Sequence, residues 1–328
     1  MTGTREMMAL VVINVGGGSH PCGVSDDSLP RFAGVMTTRE LLSRGVSAER
    51  IRTLVRRGVL VPAGRGTYAR AALLRTGRSG EHALRVTSVL AVARPGAAGS
   101  HQSAAIIHGL DQLGPRSAVL VAVTHPPGAG SGTGRPGVRV HVAALPDEHV
   151  AVRGGVRVTS VARTVVDLAR VSSFRSGVVV ADSALRGKLT TKDELRSVLA
   201  ACASWPGIRR ARLVVEFSDA LSESALESIS RVAFRDHGLP PPELQAWVGG
   251  DDVIGRADFL WRRYATVGEA DGAVKYASPG RAISQLRRDA SLRAAGFQVV
   301  HFTWDEIVRV PGQVAASIRT AFRRGVAA

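Results

Sequence analysis

The chain has 328 residues, more than one typical domain, which predicts two or three folded units. An apolar fraction of 45% is typical of a globular protein, and an aromatic fraction of 5% argues against a β-rich binding protein. The net charge of +16 indicates a polyanionic partner, either nucleic acid or an anionic membrane surface. Only Lys188, Lys192 and Lys275 are lysines, so arginine dominates the 43 basic residues. The codon bias of a GC-rich genome would explain why arginine replaces lysine, but it explains less well why 43 basic residues exceed 27 acidic ones.

The cysteine pattern and the first residues indicate a cytoplasmic protein. Cys22 and Cys202 are far apart and form no C-x-x-C pair, so neither a disulfide framework nor a zinc site is predicted. No apolar run is long enough to span a bilayer. Residues 1–30 are predicted to be a poorly ordered leader or a start codon placed too far upstream, because their apolar run is too short and wrongly flanked for a signal peptide.

The first patterned segment, residues 31–75, begins with a short helix. Thr37 and Glu40 have the spacing of a capping box, in which each side chain bonds the backbone N–H of the other. The pair Leu41–Leu42 follows on the apolar side, and Gly45 ends the helix.

A second, basic helix follows this turn. Ser47 can cap it, and Ile51, Leu54 and Val55 form an i, i+3, i+4 apolar stripe before Gly58 ends it. An apolar run and a Pro-Ala-Gly-Arg-Gly turn then predict a hairpin. Helix, turn, basic helix and hairpin together predict a winged helix-turn-helix domain.

The charge of this segment favours double-stranded DNA as its partner. The second helix would lie in a major groove and the wing would touch phosphate. One or two arginines on a short helix would be only its solvated face, but four of them with a basic wing tip favour DNA contact. The residues predicted to contact DNA are Arg39, Ser47, Arg50, Arg52, Arg56, Arg57 and Arg65.

Residues 80–219 predict a small α/β domain with a Gly-rich loop at 126–137. Helices are predicted at residues 81–95, 100–110, 159–170, 176–188 and 191–204, and strands at 118–127 and 138–145. Arg163 and Asp167 lie one helical turn apart, which predicts an i, i+4 ion pair. Five histidines of this segment lack any metal-site spacing, so no metal site is predicted among them. They are His101, His108, His125, His141 and His149.

The N-terminal two-thirds resembles the AbiEi family of antitoxins from type IV toxin-antitoxin systems. The likeness is carried by T-x-x-E-L-L-x-x-G-x-S, by the R-R-G-x-L-V-x-x-x-R-G-x-Y wing, by S-H-Q-S-A-A-x-x-H-G-L from Ser100 and by V-x-R-T-x-x-D-L-A from Val161. It covers about residues 34–190. The resemblance implies a winged-helix DNA binder, commonly a repressor of its own operon, with an α/β domain for dimerisation or partner contact. The implied partners are double-stranded DNA, a second copy of the chain and a nucleotidyltransferase-type toxin.

Beyond residue 220 carboxylates gather along the chain. A helix, a Gly-Leu-Pro-Pro-Pro break and a strand precede two further strands joined by a basic turn. Glu269 and Asp271, at i and i+2, share one face of the last strand, and Asp258 on its neighbour can face them. Three such carboxylates would repel one another unless a cation neutralised them.

Oxygen ligands of this kind suit Mg²⁺ or Mn²⁺, and phosphodiester hydrolysis fits such a site. The metal would polarise the phosphoryl oxygen and lower the pKa of an attacking water, while Lys275 would stabilise charge on the phosphate. The predicted metal ligands are Asp258, Glu269 and Asp271. The alternative is a half-buried hairpin whose acids face solvent.

Residues 220–325 resemble the PD-(D/E)xK nuclease superfamily, and within it the very-short-patch-repair-like group. The match is carried by S-A-L-E-S with Glu227, G-L-P-x-P-x-x-Q, the D-F-L-W strand, the E-x-D-G strand end and the tail R-R-D-A-x-L-R-A-A-G-F-Q-V-V-H-F-T-W-D-E-I. The resemblance implies metal ligation by Asp258 and Glu269. Asp271 and Glu227 would complete the acidic set.

Two departures from the superfamily pattern bear on hydrolysis. The lysine normally lies two residues after the glutamate, where this chain has Asp271, so Lys275 would have to reach in from the following turn. In the repair-like group a histidine often follows E-x-D-G, and here Lys275 and Tyr276 take its place. The acids could therefore form an altered metal site or belong to a fold that has lost hydrolysis.

The predicted fold class is α/β in the mixed α+β sense, with three parts. These are a winged helix-turn-helix, a small α/β middle domain, and a restriction-endonuclease-like domain at 220–328 with a mixed central sheet. The leading function is a DNA-binding transcriptional regulator of the antitoxin type. One alternative is a DNA endonuclease targeted by its winged helix, with Mg²⁺ or Mn²⁺ as cofactor; without that activity no cofactor is expected. A second alternative is a non-catalytic module that binds a partner toxin.

Overall fold

The computed structural model describes residues 34–71, 78–114, 120–128, 136–249, 253–272 and 279–326. They pack into two compact units. One contains the described chain up to Val171 together with Thr190–Arg212, and the other contains Ser172–Leu189 and the chain from Leu213 onward. The predicted leader lies outside the described residues, and the three-part division stays a prediction. No described helix is long and apolar enough to cross a bilayer.

The N-terminal segment has the two helices and the hairpin expected of a winged helix-turn-helix. Its elements are β1 (Val35–Thr37), α1 (Thr38–Ser43), α2 (Ala48–Arg56), β2 (Leu60–Gly64) and β3 (Thr67–Arg70). β3 pairs antiparallel with β1 on one side and with β2 on the other. The predicted capping box is confirmed, because Glu40 N donates to Thr37 Oγ1 at 3.2 Å and Thr37 N donates to Glu40 Oε2 at 2.8 Å.

A small apolar core holds the two helices against this sheet. It consists of Met36, Leu41, Val46, Ile51, Leu54 and Leu60. Leu42, expected on the apolar side, is 48% exposed. Successive helix residues point about 100° apart, so a helix of six residues that buries Leu41 turns its neighbour outward. The core leaves the charged faces of α2 to solvent.

The same unit continues with a mixed five-stranded sheet and its helices. These are α3 (Arg78–Leu90), β4 (Ala98–Gly99), α4 (His101–His108), β5 (Val121–His125), β6 (Val138–Val142), β7 (Val150–Arg153), β8 (Val156–Thr159) and α5 (Val161–Val171). The strand order is β6-β5-β4-β8-β7, with β5–β6 and β4–β8 parallel and the other pairs antiparallel. The hairpin β7–β8 turns at Gly154 and Gly155, both at positive φ, and was not predicted from the sequence.

The remaining helices of the middle region divide between the two units. α6 (Phe174–Arg186) belongs to the second unit and α7 (Lys192–Ala201) to the first, while the unit boundary falls within α8 (Ile208–Phe217). The predicted helices at 176–188 and 191–204 are therefore present, and α8 was not foreseen.

The second unit is built on a four-stranded mixed sheet. Its further elements are α9 (Ala225–Asp236), β9 (Glu243–Gly249), β10 (Val253–Trp261), β11 (Thr266–Asp271), α10 (Pro279–Ala294), β12 (Gln298–Thr303), α11 (Trp304–Arg309) and α12 (Pro311–Val326). The strands β9, β10 and β11 form an antiparallel meander, and α10 returns the chain so that β12 pairs parallel to β11. The mixed α+β class is confirmed.

Each face of this sheet has its own core. On one face Phe234 of α9 makes edge contacts with Phe259, Trp261 and Phe302 at centroid distances of 5.1 to 5.7 Å. On the other face Leu260 and Val267 pack with Leu292 of α10. Side chains alternate along a strand, so Asp258 and Glu269 share the α10 face with these residues.

Candidate functional site

α2, the helix that the sequence assigns to a DNA groove, presents its charge to solvent. Its predicted cap is confirmed, because Arg50 N donates to Ser47 Oγ at 3.2 Å. Arg52 and Arg56 are exposed one helical turn apart, on the side opposite the buried stripe. Arg57, at the end of the helix, is also exposed. The Ser47 hydroxyl therefore acts in the helix cap, and the arginines form the outer surface.

The wing tip is fastened to the start of α1. Arg65 is exposed in the turn between β2 and β3, where Gly66 has a φ of 69° that favours glycine. Gly66 O accepts hydrogen bonds from Thr38 N at 2.8 Å and from Thr38 Oγ1 at 3.2 Å. Arg39 directly follows Thr38 and is exposed, and Arg65 directly precedes Gly66. Arg39 and Arg65 therefore both lie next to this contact.

The wing also rests on α3. Thr67 Oγ1 and Ser88 Oγ form a buried hydrogen bond of 2.8 Å between β3 and α3. A Cβ atom added at Gly64 would collide with Ser88 Oγ. Glycine at this position allows the wing strand to approach α3 closely, and the wing is thereby held in a fixed position on its own unit. The seven residues predicted to contact DNA all lie on this winged-helix segment, six of them exposed and Arg50 half-buried.

The predicted acids of the second unit's sheet, Asp258, Glu269 and Asp271, lie on the neighbouring strands β10 and β11. Each of them forms hydrogen bonds with a different side chain. Glu269 is 2% exposed, and its Oε1 accepts a hydrogen bond from Arg288 Nη2 of α10 at 2.9 Å. The same Nη2 donates to Arg256 O at 2.6 Å. The carboxylate proposed as a metal ligand therefore has an arginine beside it.

Asp271 is held by a histidine on the parallel strand. His301 Nδ1 lies 3.1 Å from Asp271 Oδ2, and His301 Nε2 lies 2.9 Å from Asp289 Oδ2. A ring that bonds a carboxylate at each nitrogen must carry both protons. The hydrogen bond with Asp271 accordingly raises the pKa of His301 above 6.5, with Asp289 adding to the effect.

Glu227 and Asp258 share a glutamine. Gln245 Nε2 donates to Glu227 Oε2 at 2.9 Å and to Asp258 Oδ1 at 3.3 Å. Ala270 N donates to Asp258 Oδ2 at 2.9 Å, which ties this side chain across to β11. Burial raises the pKa of Glu227, and the charge on Asp258 acts in the same direction.

These pairings decide how well the acids fit a metal ion. Among the described residues no group of three or more His, Cys, Asp or Glu side chains is arranged to hold one. The acids are instead divided between Arg288, His301 and Gln245, so within the described residues no three of them form one shared ligand set. Lys275 lies outside the described residues. The ligand and catalytic assignments stay predictions, and no metal-dependent step is derived from them.

Four residues of this cluster were not singled out as site residues from the sequence. They are Gln245, Arg288, Asp289 and His301. All four lie inside the motifs quoted above, but nothing in their spacing links them to the acids. The link depends on the register of β11 and β12, which pairs Glu269 with His301.

The predicted ion pair of the middle region is confirmed. Arg163 Nε donates to Asp167 Oδ2 at 2.9 Å, and both side chains are 1% exposed. Arg170 Nη1 donates to the other carboxylate oxygen at 3.3 Å. The pair predicted to hold one helix is thus the centre of a larger buried cluster in the first unit.

Comparison with known proteins agrees with the winged helix and the mixed sheet of the first unit. Residues 27–71 match the family described as "Transcriptional regulator, AbiEi antitoxin", and residues 97–217 match "AbiEi antitoxin C-terminal domain". The chain is also 32% identical over 190 residues to two uncharacterized proteins of Mycobacterium tuberculosis, MT2308 of strain CDC 1551 / Oshkosh and Rv2248 of strain ATCC 25618 / H37Rv. The aligned part is 56% of this chain and 70% of each relative.

The two matches follow each other in the order found in the structure, and together they cover the DNA-binding segment and the α/β region that follows it. The resemblance inferred from the sequence motifs is therefore confirmed for this part of the chain. The protein belongs to the AbiEi antitoxin family and is a DNA-binding transcriptional regulator of that family.

Proposed function

We propose that this regulator binds operator DNA by placing α2 in a major groove and the wing tip against the phosphate backbone. The observation that carries the proposal is the exposure of Arg52 and Arg56 on the outer face of α2, together with an exposed Arg65 on a wing tied to α1. Guanidinium groups on a recognition helix can bond guanine edges, whereas a wing arginine neutralises phosphate without reading sequence.

A duplex from the region upstream of the chain's own gene tests this, with binding followed by fluorescence anisotropy. Arg52→Ala with Arg56→Ala should weaken binding about tenfold or more and reduce the preference for this duplex over a random one. Arg65→Ala should weaken binding to both duplexes alike. It should also reduce the steepness of the plot of log binding constant against log salt concentration by about one, the contribution of one phosphate contact. The matched control is Arg196→Ala with Arg209→Ala, two exposed arginines outside the winged helix. Equal losses in the control would remove the assigned interface.

We further propose that the chain represses its own operon and opposes a nucleotidyltransferase-type toxin in the cytoplasm, as a homodimer. The family match supports a toxin partner, and the net charge of +16 supports a nucleic-acid target. Co-expression tests the toxin assignment: growth arrest caused by a cognate toxin should be relieved by the wild-type chain. Relief should persist in Arg52→Ala with Arg56→Ala, since both residues lie on α2 and outside the part that matches the antitoxin C-terminal domain. Sedimentation of the purified chain tests the dimer, and a monomer at micromolar concentration would contradict it.

A second candidate function concerns the C-terminal unit, which we propose to be a PD-(D/E)xK-type fold. The order α9, β9, β10, β11, α10, β12, with β12 parallel to β11, supports this proposal. On this proposal the unit is either a Mg²⁺- or Mn²⁺-dependent endonuclease or a non-catalytic module that contacts the toxin. Incubation with supercoiled plasmid and either metal separates them. Nicking by wild type that is lost in Glu269→Ala and in Asp258→Ala supports the nuclease, and no nicking by wild type rejects it.

A further inference from the structure

The first unit contains a cavity whose lining residues all lie outside the winged helix. Its volume is about 410 Å³, and it lies beside the sheet where α4 begins and where α5 ends. Its polar lining includes His101, Thr124, His141, Arg163 and Arg170, and part of its wall is the Trp205 ring. A volume of this size suits a small organic ligand.

Three buried polar atoms at this cavity have no hydrogen-bond partner within the described part of the chain. They are Thr124 Oγ1, His141 Nε2 and Arg163 Nη2. Arg163 is 0% exposed and Thr124 is 1% exposed, and the Nε2 atom of His141 is buried although the residue as a whole is half-buried. A buried donor left without a partner costs about 1–3 kcal/mol, so three such atoms on residues that line one cavity favour a ligand that bonds them.

The remaining donors of Arg163 are all occupied by the protein. Nε bonds Asp167, while Nη1 donates to Ala144 O at 3.0 Å and contacts His149 Nδ1 at 3.1 Å. The guanidinium group also packs on the Trp205 ring, 4.4 Å from its centroid. These contacts fix the direction of Nη2, the one nitrogen that lacks a partner.

The charge of the lining favours an anion. Each oxygen of Asp167 is engaged by one guanidinium group, from Arg163 and from Arg170. Arg170 is further held by its Nε bond to Pro206 O at 2.9 Å. Two guanidinium groups against one carboxylate leave a net charge of +1 at the cavity, and the carboxylate is already bonded on both oxygens. An incoming anion therefore meets donors and a positive charge.

The two histidines of the lining stack on each other without adding charge, and His141 can donate a hydrogen bond to a ligand. The rings of His101 and His141 stack with centroids 3.6 Å apart and an interplanar angle of 14°. Burial, the neighbouring His141 ring and three arginines lower the pKa of His101 to about 3, and burial lowers the pKa of His141 as well. Both rings are thus neutral at pH 7, and the Nε2 tautomer of His141 carries a proton for a ligand. His101 has a φ of 49°, a strained conformation for a non-glycine residue that is often found at functional sites.

We propose that this cavity binds a small phosphate ester, with its phosphate bonded to Thr124 Oγ1, His141 Nε2 and Arg163 Nη2. The three donors come from β5, β6 and α5, and a tetrahedral group offers oxygens in more directions than a planar carboxylate does. The organic part of the ligand lies against Trp205 and against Val142 and Val171, which line the cavity although they are 62% and 51% exposed.

Binding is measured on the full chain by thermal shift and calorimetry, with inorganic phosphate and phenyl phosphate as probes. Sodium chloride and sodium acetate at matched ionic strength are the comparisons. We expect both phosphates to raise the unfolding temperature more than chloride or acetate does, and phenyl phosphate to bind about tenfold more tightly because it also buries apolar surface. A response to phosphate no larger than that to chloride overturns the site, and an equal response to acetate overturns the phosphate assignment.

Two variants locate the binding. Thr124→Val keeps the shape of the side chain and removes one unpaired hydroxyl, so the unliganded variant should be as heat-stable as wild type while phosphate affinity falls about fivefold or more. Arg170→Gln should also reduce the stabilisation by phosphate, measured for each variant against its own unliganded unfolding temperature. Arg196→Gln makes the same charge change on α7 and should leave that stabilisation unchanged. Wild-type phosphate affinity in Thr124→Val, or equal losses in the two arginine variants, would contradict the proposal.

Discussion

Arg288 Nη2 donates a hydrogen bond to Glu269 Oε1 at 2.9 Å, and the glutamate side chain is only 3% exposed. The carboxylate that most strongly suggests a metal ligand is thus paired with a cation supplied by the protein itself. We expect Arg288→Met to lower the free energy of unfolding by about 2–3 kcal/mol, because it removes the cation that lies beside a buried carboxylate. Urea denaturation measures the change.

The control for this pair removes both charges. Arg288→Met combined with Glu269→Leu should recover most of the loss, since an apolar pair can replace a buried ion pair at little cost. Arg262→Met breaks an exposed pair with Glu243 and should change stability little. If the double variant is no more stable than Arg288→Met, the two side chains are not coupled as described.

His301 gives the second unit a dependence on alkaline pH. Its folded pKa is raised above the ordinary 6.5, chiefly by the hydrogen bond with Asp271, so folding favours the protonated ring. The stabilisation is fully present below about pH 6.5 and is lost as pH rises through the raised pKa. His301→Gln should therefore lose less stability than wild type between pH 6 and pH 9 in urea denaturation. Parallel curves for the two proteins would contradict the pairing.

His82 gives the first unit the opposite dependence. Burial lowers its pKa to about 4, with Arg85 acting in the same direction, and its Nε2 lies 2.8 Å from Ser103 Oγ. The unfolded chain therefore binds a proton near pH 6.5 that the folded chain does not bind, and stability falls as pH decreases below that value. Between pH 7 and pH 5 wild type should lose about 2 kcal/mol more than His82→Gln. The same loss in both proteins would mean that this ring titrates normally.

The contact between wing and α3 predicts a sensitive glycine. Gly64→Ala places a methyl group against Ser88 Oγ, which is already bonded to Thr67, so we expect a loss of about 1–2 kcal/mol and weaker DNA binding. Gly272→Ala is the matched control, because among the described residues no atom beyond the chain neighbours lies within 4 Å of a Cβ at that position. Thermal unfolding and anisotropy measure the two effects. A wild-type unfolding temperature in Gly64→Ala would show that the wing does not rest on α3 in this way.

Features that depend on neighbours in the sequence were predictable without the structure. The capping box of Thr37 and Glu40 joins residues three apart, and the Arg163–Asp167 pair joins residues four apart on one helix. The winged helix follows from the same local rules, because periodicity and glycine positions determine where short helices begin and end. The family resemblance adds the order of these elements along the chain.

The sequence by itself thus determined the winged helix, the mixed α+β class and the antitoxin family. Only the tertiary structure decided what the charged side chains do. The register of β11 and β12 pairs Glu269 with His301, and α10 brings Arg288 and Asp289 to the same face. In the first unit the sheet stacks His101 on His141, forty residues apart in sequence. Such contacts depend on strand register and helix packing, which no spacing within one segment encodes.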